Sequence, residues 1–164
     1  MNYKIKNVDK SDFDFVLSLN QKTLPEVSST DLVGLFYFLK NSSYFKIILY
    51  NNIPVGFCIG LKPEMDYSSE NYIWINKRYN SFIYVDRIVI DEKYRNIGIG
   101  SYLYTHLAKT YYGKVESIIC EVNISPYNKP SINFHKKYGF KEIGQKDTEN
   151  GKKRVSYMMY KISL

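Results

Sequence analysis

Cysteine, histidine and long hydrophobic runs are scarce in this 164-residue sequence. Its two cysteines, Cys58 and Cys120, each lie in an apolar segment, so we expect free, buried thiols rather than a disulfide framework. Two cysteines and two histidines also lack the spacing of a metal site. No apolar run approaches the ~20 residues of a membrane span, and Met1 is not followed by a secretion signal. These absences predict a cytoplasmic protein without metal.

The sequence does have an ordinary globular composition with a surplus of positive charge. Hydrophobic residues make up 45% and charged residues 24%, which together with the length fits a single domain over residues 1–164. The formal charge of +7 attracts anions, whether nucleic acid, an anionic membrane or a polyphosphate cofactor. The dense basic cluster at residues 152–154 follows the turn signal Asn150-Gly151 and is typical of a solvated hairpin tip. We therefore expect neither nucleic-acid nor membrane binding.

Segments of strand and helix character alternate along the chain. Strands are predicted at residues 3–8, 45–50, 53–61, 82–90, 115–122, 140–144 and 155–162, and helices from about Ser11, a candidate cap, and at 32–39, 98–111 and 128–138. This alternation predicts an α/β or α+β fold around a mixed sheet. Residues 62–80 break the pattern between the third and fourth strands, and we interpret them as an aromatic-rich insertion with one or two helical turns. Long insertions are more often functional than idle.

A glycine-containing motif at residues 95–100 (Arg-Asn-Ile-Gly-Ile-Gly) lies between the fourth strand and the following helix. The first N–H groups of a helix have no acceptor inside it, and the helix dipole favours negative charge there. Gly98 and Gly100 lack Cβ atoms, so a bulky anion can approach the main chain, and Arg95 adds a charged donor. The motif predicts a phosphate-binding loop, although it completes neither the dinucleotide fingerprint nor a Walker loop.

Two motifs together resemble the GNAT family of N-acetyltransferases. Residues 85–90 (Val-Asp-Arg-Ile-Val-Ile), followed after four residues by the 95–100 motif, resemble the family's acetyl-CoA signature. Asn128, Ser131, Phe134 and residues 138–140 (Tyr-Gly-Phe) resemble its second motif, and the chain is also similar to a little-characterised bacterial subgroup of predicted acetyltransferases. The resemblance implies one GNAT-like domain with a mixed, mostly antiparallel central sheet of about seven strands flanked by about four helices.

The resemblance also implies acetyl-CoA as the co-substrate. The fourth and fifth strands would splay apart so that backbone groups of residues 88–90 pair with the pantetheine arm. The pyrophosphate would rest on the N–H groups of residues 96–101, and Asn128 with its helix would contact the far side of the pantetheine. The residues expected at acetyl-CoA are Ile88, Val89, Ile90, Arg95, Asn96, Ile97, Gly98, Ile99, Gly100, Ser101, Asn123, Asn128 and His135.

Two positions depart from the family's pattern. Asn96 stands where a glycine is usual, and because asparagine is the next-best residue for left-handed backbone, we expect the loop to keep its shape. His135 replaces a tyrosine that often protonates the leaving thiolate of CoA; its unperturbed pKa of ~6.5 suits that role, with packing on the helix as the alternative. Tyr138, on roughly the same helix face, is a second candidate acid or a residue that fills the seam between helix and sheet.

Glu121 and Asp86 are the candidate bases. Each lies in an otherwise apolar strand, where an idle carboxylate is costly and burial raises the pKa towards neutrality. The structural alternatives are an ion pair of Asp86 with Arg87 or a lysine, and a contact of Glu121 with the loop at Asn123. Glu121 is the slightly preferred base, acting directly or through water.

These motifs predict an acyl-CoA-dependent N-acyltransferase. It would transfer an acetyl group to a primary amine of a small molecule, amino acid or peptide by direct attack on the thioester, and aromatic residues of the insertion would line the acceptor pocket. Two alternatives are a GNAT-like module that binds CoA without turnover and a basic nucleic-acid-binding domain. A homodimer is a further expectation from the family.

Overall fold

Helices and strands alternate along residues 2–163, the part of the chain that the computed structural model describes. The strands are β1 (Tyr3–Asn7), β2 (Tyr44–Tyr50), β3 (Ile53–Leu61), β4 (Phe82–Ile90), β5 (Ser117–Ser125), β6 (Lys141–Thr148) and β7 (Lys153–Lys161). The α-helices are α1 (Phe13–Lys22), α2 (Leu32–Asn41), α3 (Glu70–Asn76), α4 (Ile99–Tyr111) and α5 (Lys129–Tyr138). None of these helices is long and apolar enough to cross a membrane.

The strands belong to a seven-stranded sheet with the order β1-β2-β3-β4-β5-β7-β6. Its pairs β1–β2, β2–β3, β5–β7 and β6–β7 are antiparallel, and β4–β5 is parallel. The predicted fold, α+β with a mixed and mostly antiparallel sheet of seven strands, is confirmed. Residues 2–163 contain five α-helices where about four were expected, since residues 62–80 form the additional helix α3.

Contacts between Cα atoms divide the chain into two units. The first consists of the described residues up to Leu61 and of Arg87–Thr110, and the second consists of Lys62–Asp86 and of the described residues from Tyr111 onward. The expectation of a single domain over residues 1–164 stays a prediction.

The first unit is built on the antiparallel strands β1, β2 and β3 with helices α1 and α2. The β2–β3 hairpin turns at Asn51 and Asn52, whose φ angles of 49° and 64° are left-handed, as predicted from the tolerance of asparagine for this conformation. Helix α1 begins differently from the prediction. A short 3₁₀ turn precedes it, and Asp9 caps this turn, because its carboxylate accepts the Ser11 N–H at 2.8 Å. Asp12, not Ser11, is at the N-cap position of α1 and forms no capping bond with its side chain.

The second unit is built on the antiparallel set β5, β7 and β6, with the start of β4 added in parallel. Fully buried Phe82, Ile118 and Tyr157 belong to its core. Helix α5 has the predicted ends: the Asn128 side chain accepts the N–H of Ser131 at 3.2 Å, and Gly139 closes the helix with a φ of 118°. This cap and stop orient the helix that carries His135 and Tyr138.

Candidate active site

The first unit contains the predicted phosphate-binding loop. Asn96 and Gly98 have positive φ angles of 64° and 91°, so asparagine does adopt the left-handed backbone expected of it. A Cβ atom built on Gly98 would meet no heavy atom within 4 Å, which means that open space faces the main chain there. The loop backbone thus has the exposure that the approach of an anion requires.

Two side chains hold this loop in place. The Arg95 Nε–H donates to the carbonyl of Ile90 at 3.0 Å, and the Tyr3 hydroxyl donates to the carbonyl of Ile97 at 2.8 Å. Ile99 is buried at the start of α4. Both bonds are accepted by carbonyl groups, so they do not use the N–H groups at the start of α4. As at every helix start, these N–H groups can donate to a bound anion. The loop therefore fits an anionic group such as a diphosphate.

Next to this loop, the end of β4 alternates in burial. Val89 is 1% exposed, whereas Ile88 and Ile90 are half-buried. At Gly56 in β3, a Cβ atom would lie 2.6 Å from the carbonyl oxygen of Val89, so this glycine permits the close approach of the two strands. The neighbouring Arg87 is buried, and its Nη1 donates to Asn20 Oδ1 at 2.8 Å and to the Ser28 carbonyl at 3.1 Å.

The second unit contains the preferred base, Glu121 on β5. Its Oε1 accepts two hydrogen bonds, from the Tyr84 hydroxyl at 3.0 Å and from Asn71 Nδ2 at 3.2 Å. Its Oε2 is buried and has no hydrogen-bond partner within residues 2–163. A carboxylate oxygen in that state has a free lone pair in an environment that disfavours charge. It is the feature expected of a group that takes up a proton.

Burial is the main cause of a raised proton affinity at this carboxylate. It raises the pKa of Glu121 to about 8, and the negative charge of Asp86 acts in the same direction. The hydrogen bonds from Tyr84 and Asn71 act in the opposite direction, since they stabilise the charged form. Burial also raises the pKa of Tyr84, so its hydroxyl keeps its proton and remains a donor. Glu121 is thereby poised to exchange a proton near neutral pH.

Asp86 lies near Glu121 for a reason that the strand register explains. β4 and β5 pair at Phe82–Tyr84 and Ser117–Ile119, and two residues beyond the last pair the strands carry Asp86 and Glu121. Asp86 Oδ1 accepts the hydroxyl of Tyr67 at 2.5 Å. The neighbouring Arg87 donates to Asn20 and to the Ser28 carbonyl, and the alternative of an ion pair between Asp86 and a cation stays a prediction.

Helix α5 places the two candidate acids differently. His135 is 3% exposed, between the rings of Phe134 and Phe140 at centroid distances of 5.0 and 5.1 Å. Its Nδ1 lies 2.7 Å from the Ser131 carbonyl, which can only accept, so the proton is on Nδ1. Burial lowers the pKa of His135 to about 4, and the ring is neutral at physiological pH.

Tyr138 is half-buried and packs near aromatic residues of the neighbouring strands. Its ring centroid lies 5.0 Å from that of Tyr160 and 5.9 Å from that of Phe140. Asn123 and Asn128 are joined through the backbone, since the Asn128 N–H donates to the Asn123 carbonyl at 3.0 Å. The side chain of Asn128 caps α5, so its amide is already bonded within the unit.

Three residues at this site were not predicted from the sequence: Tyr84, Asn71 and Tyr157. The Asn71 side chain bridges Glu121 and Tyr157, whose hydroxyl donates to Asn71 Oδ1 at 2.9 Å. Tyr84 could have been found, because it lies two residues before Asp86 and shares its face of β4. Nothing in the local pattern marks Asn71 or Tyr157. No cluster of three or more potential metal ligands occurs among the described residues.

Comparisons with known proteins agree with this fold. The model of the acetyltransferase (GNAT) family matches residues 13–140. An N-alpha-acetyltransferase of Sulfurisphaera tokodaii is 26% identical over 147 residues, which cover 86% of this chain and 81% of that protein. Ard1 from Thermoplasma volcanium has a similar structure, with a TM-score of 0.79 at 18% identity and full coverage of both chains. Naa50 of Arabidopsis thaliana, solved with the bisubstrate analogue CoA-Ac-MVNAL, has a TM-score of 0.74 at 18% identity, over 98% of this chain and 99% of the other.

The matched region includes the loop at 95–101, Asp86, Glu121 and α5. The chain belongs to the acetyltransferase (GNAT) family.

The raised pKa of Glu121 predicts a pH-dependent stability. Because about 8 lies above the ordinary carboxyl value of 4.5, the folded state holds this proton more tightly than the unfolded state. The free energy of unfolding therefore falls as the pH rises between these values, by at most about 1.4 kcal/mol per pH unit for one group. Urea denaturation across this range should show that Glu121→Gln lacks this component. The control Glu116→Gln, at an exposed glutamate, should keep the natural slope, and an equal slope in Glu121→Gln would contradict the assignment.

Proposed function

We propose that this protein transfers the acetyl group of acetyl-CoA to the N-terminal α-amine of a peptide. The observation that carries the proposal is Glu121, a buried carboxylate with a pKa of about 8 and an oxygen without a hydrogen-bond partner within residues 2–163. The relatives support the choice of substrate, since one is named N-alpha-acetyltransferase and Naa50 binds an analogue that joins CoA to a peptide. A non-catalytic CoA-binding module would have no use for such a carboxylate.

Acetyl-CoA supplies the thioester, and the first unit supplies the residues that would hold it. The N–H groups of residues 96–101 would bind the diphosphate, and the open space at Gly98 would admit it. Backbone groups of Ile88, Val89 and Ile90 would pair with the pantetheine arm, and contacts of Asn123 and Asn128 with acetyl-CoA stay predictions from the sequence. Arg95 holds the loop through the Ile90 carbonyl, so its charge acts beside the bound phosphates.

Glu121 takes the proton that the acceptor ammonium must lose. The neutral amine then attacks the thioester carbon, an N–C bond forms and the C–S bond breaks. The nitrogen loses its second proton at this stage, which balances the proton that the CoA thiolate gains. Oε2 of Glu121 is the oxygen that accepts the proton, because Oε1 already accepts bonds from Tyr84 and Asn71. A pKa near the operating pH makes the transfer efficient in both directions.

The charge around Glu121 favours a peptide over a free amino acid. Asp86 and Glu121 interact electrostatically, and each accepts a hydrogen bond from a tyrosine hydroxyl. An acceptor ammonium is attracted by this charge. The α-carboxylate of a free amino acid would be repelled by it, whereas the first peptide bond of a polypeptide is neutral.

The leaving thiolate needs a proton, and the burial and lowered pKa of His135 count against that residue as its source. His135 is neutral, buried and bonded through Nδ1 to Ser131. We therefore assign His135 to the packing of α5 against Phe140. Tyr138 remains the candidate acid of the site, with its phenol at the half-exposed end of the helix.

The function is tested by thiol release from acetyl-CoA over a panel of acceptors. Peptides with a free N-terminus should release CoA, while the same peptides with a blocked N-terminus and free amino acids should release little. Glu121→Gln should lower kcat by about 10²-fold or more, because it removes the base. Stabilisation by acetyl-CoA without release on any acceptor would favour the non-catalytic module. Salt-dependent binding of nucleic acid without CoA binding would reject the family's activity for this chain.

Gly98→Leu should weaken CoA binding by at least about tenfold, because a side chain would fill the open space at a φ of 91°. Gly113→Leu is the matched control, since Gly113 has a φ of 70° and equally open surroundings, just after α4. Both variants should lose similar stability, and calorimetric titration with CoA should separate them. Equal CoA affinity in Gly98→Leu and the natural protein would show that the loop does not hold the diphosphate.

Tyr138→Phe should lower kcat more than it raises the KM for acetyl-CoA, because the phenol proton is used only in the chemical step. His135→Phe should keep kcat and lose thermal stability, because it removes the bond to Ser131. Steady-state kinetics and thermal denaturation of both variants separate these roles. A large loss of kcat in His135→Phe with a natural kcat in Tyr138→Phe would instead identify His135 as the acid.

A further inference from the structure

The insertion between β3 and β4 reaches the candidate base through one side chain. Asn71, on helix α3, donates from Nδ2 to Glu121 Oε1 at 3.2 Å and accepts the Tyr157 hydroxyl on Oδ1 at 2.9 Å. Because the hydroxyl occupies the amide oxygen, the amide nitrogen is the atom that faces the carboxylate. Asn71 therefore has a fixed orientation, with a donor directed at Glu121.

Helix α3 is itself held against the strands of the second unit. The indole of Trp74 stacks on the ring of Tyr157 with centroids 4.0 Å apart and planes 12° from parallel, and the guanidinium of Arg78 lies 4.1 Å above the indole. Glu70 accepts the N–H of Glu149 at 2.9 Å and pairs with Lys146 at 2.9 Å. Contacts on both sides of Asn71 thus fix the helix.

Strand β6 is adapted to this helix. A Cβ atom on Gly144 would lie 2.9 Å from the Trp74 ring, closer than real Cβ contacts allow. Inside the insertion, the buried Tyr72 accepts the Met65 N–H at 2.8 Å and donates to the Lys62 carbonyl at 2.7 Å. The segment is packed as a rigid part of the unit, as positioning of a catalytic group requires.

We propose that Asn71 is a positioning residue for the candidate base: it shares Oε1 of Glu121 with Tyr84, so that Oε2, which has no hydrogen-bond partner within residues 2–163, stays the oxygen that takes up a proton. This inference rests on the proposed function of Glu121. Two donors on one oxygen, from β4 and from α3, restrict rotation of the carboxyl group. Without Asn71 the carboxyl group can turn, and its two oxygens no longer keep separate roles.

The groups that face Glu121 determine what the loss of Asn71 does to its proton. From β4 these are the carboxyl of Asp86 and the phenol of Tyr84, from β7 the phenol of Tyr157 lies behind Asn71, and α3 contributes the uncharged amide. The hydrogen bond from Asn71 lowers the pKa of Glu121, whereas burial and Asp86 raise it. Removal of the amide leaves the raising influences in place, so the base titrates at a higher pH.

The test is Asn71→Leu, which keeps the side-chain volume and removes the amide. The limb of the kcat/KM profile that reports ionisation of the base should move to higher pH by about one unit. At a pH above the shifted limb, the variant should recover part of the natural activity. Asn71→Gln, which retains a carboxamide, should show a smaller shift than Asn71→Leu. Asn76→Leu is the matched control, because Asn76 lies on the same helix and bonds instead to the Glu64 N–H.

Titration of Glu121 gives a readout that does not need turnover. Carboxyl-¹³C NMR of the protein labelled at glutamate, with Glu121→Gln as the reference for assignment, follows its protonation without substrates. A higher pKa in Asn71→Leu and a natural pKa in Asn76→Leu support the inference. An unchanged pKa in a folded Asn71→Leu overturns it. Absence of acetyl transfer in the natural protein would overturn the proposed function alone, since the titration would still report the contact.

Discussion

The second unit buries one carboxylate oxygen, Oε2 of Glu121. A buried charge costs several kcal/mol unless hydrogen bonds or counter-charges compensate it. Glu121 receives two hydrogen bonds on one oxygen and none on the other within residues 2–163. Its carboxyl therefore binds a proton more tightly than an exposed one does. The incomplete solvation that costs stability is the same property that makes the group a base.

The two carboxyl groups of the site have different surroundings, and this separates their roles. Asp86 bonds to the hydroxyl of Tyr67, and its charge acts on Glu121 from the end of the paired part of β4 and β5. Burial is the main cause of the raised pKa of Glu121. The negative charge of Asp86 raises the pKa of Glu121 further. Different roles for two carboxyl groups follow from their surroundings, because the unperturbed pKa values of aspartate and glutamate are similar.

The sequence predicted most of the fold because its signals were local. β3 and β4 have the predicted bounds, and the Asn51–Asn52 turn and the ends of α5 follow from residues within a few positions. β6 was predicted too short because polar residues continue along it after Gly144. Helix α3 has seven residues, or about two turns, which agrees with the one or two turns predicted. Tertiary contacts stabilise this short helix.

The candidate site, like the fold, has residues with a local signal in the sequence and residues that only distant contacts bring in. Glu121 and Asp86 could be chosen because a carboxylate in an apolar strand is anomalous by itself. Their partners could not, since Asn71 is 50 residues from Glu121 and Tyr157 is 86 residues from Asn71. An asparagine in a polar insertion has no unusual sequence context. Its importance arises only when the sheet register brings β5 and β7 together beneath α3, so the residue that orients the base is the one that a one-dimensional pattern hides.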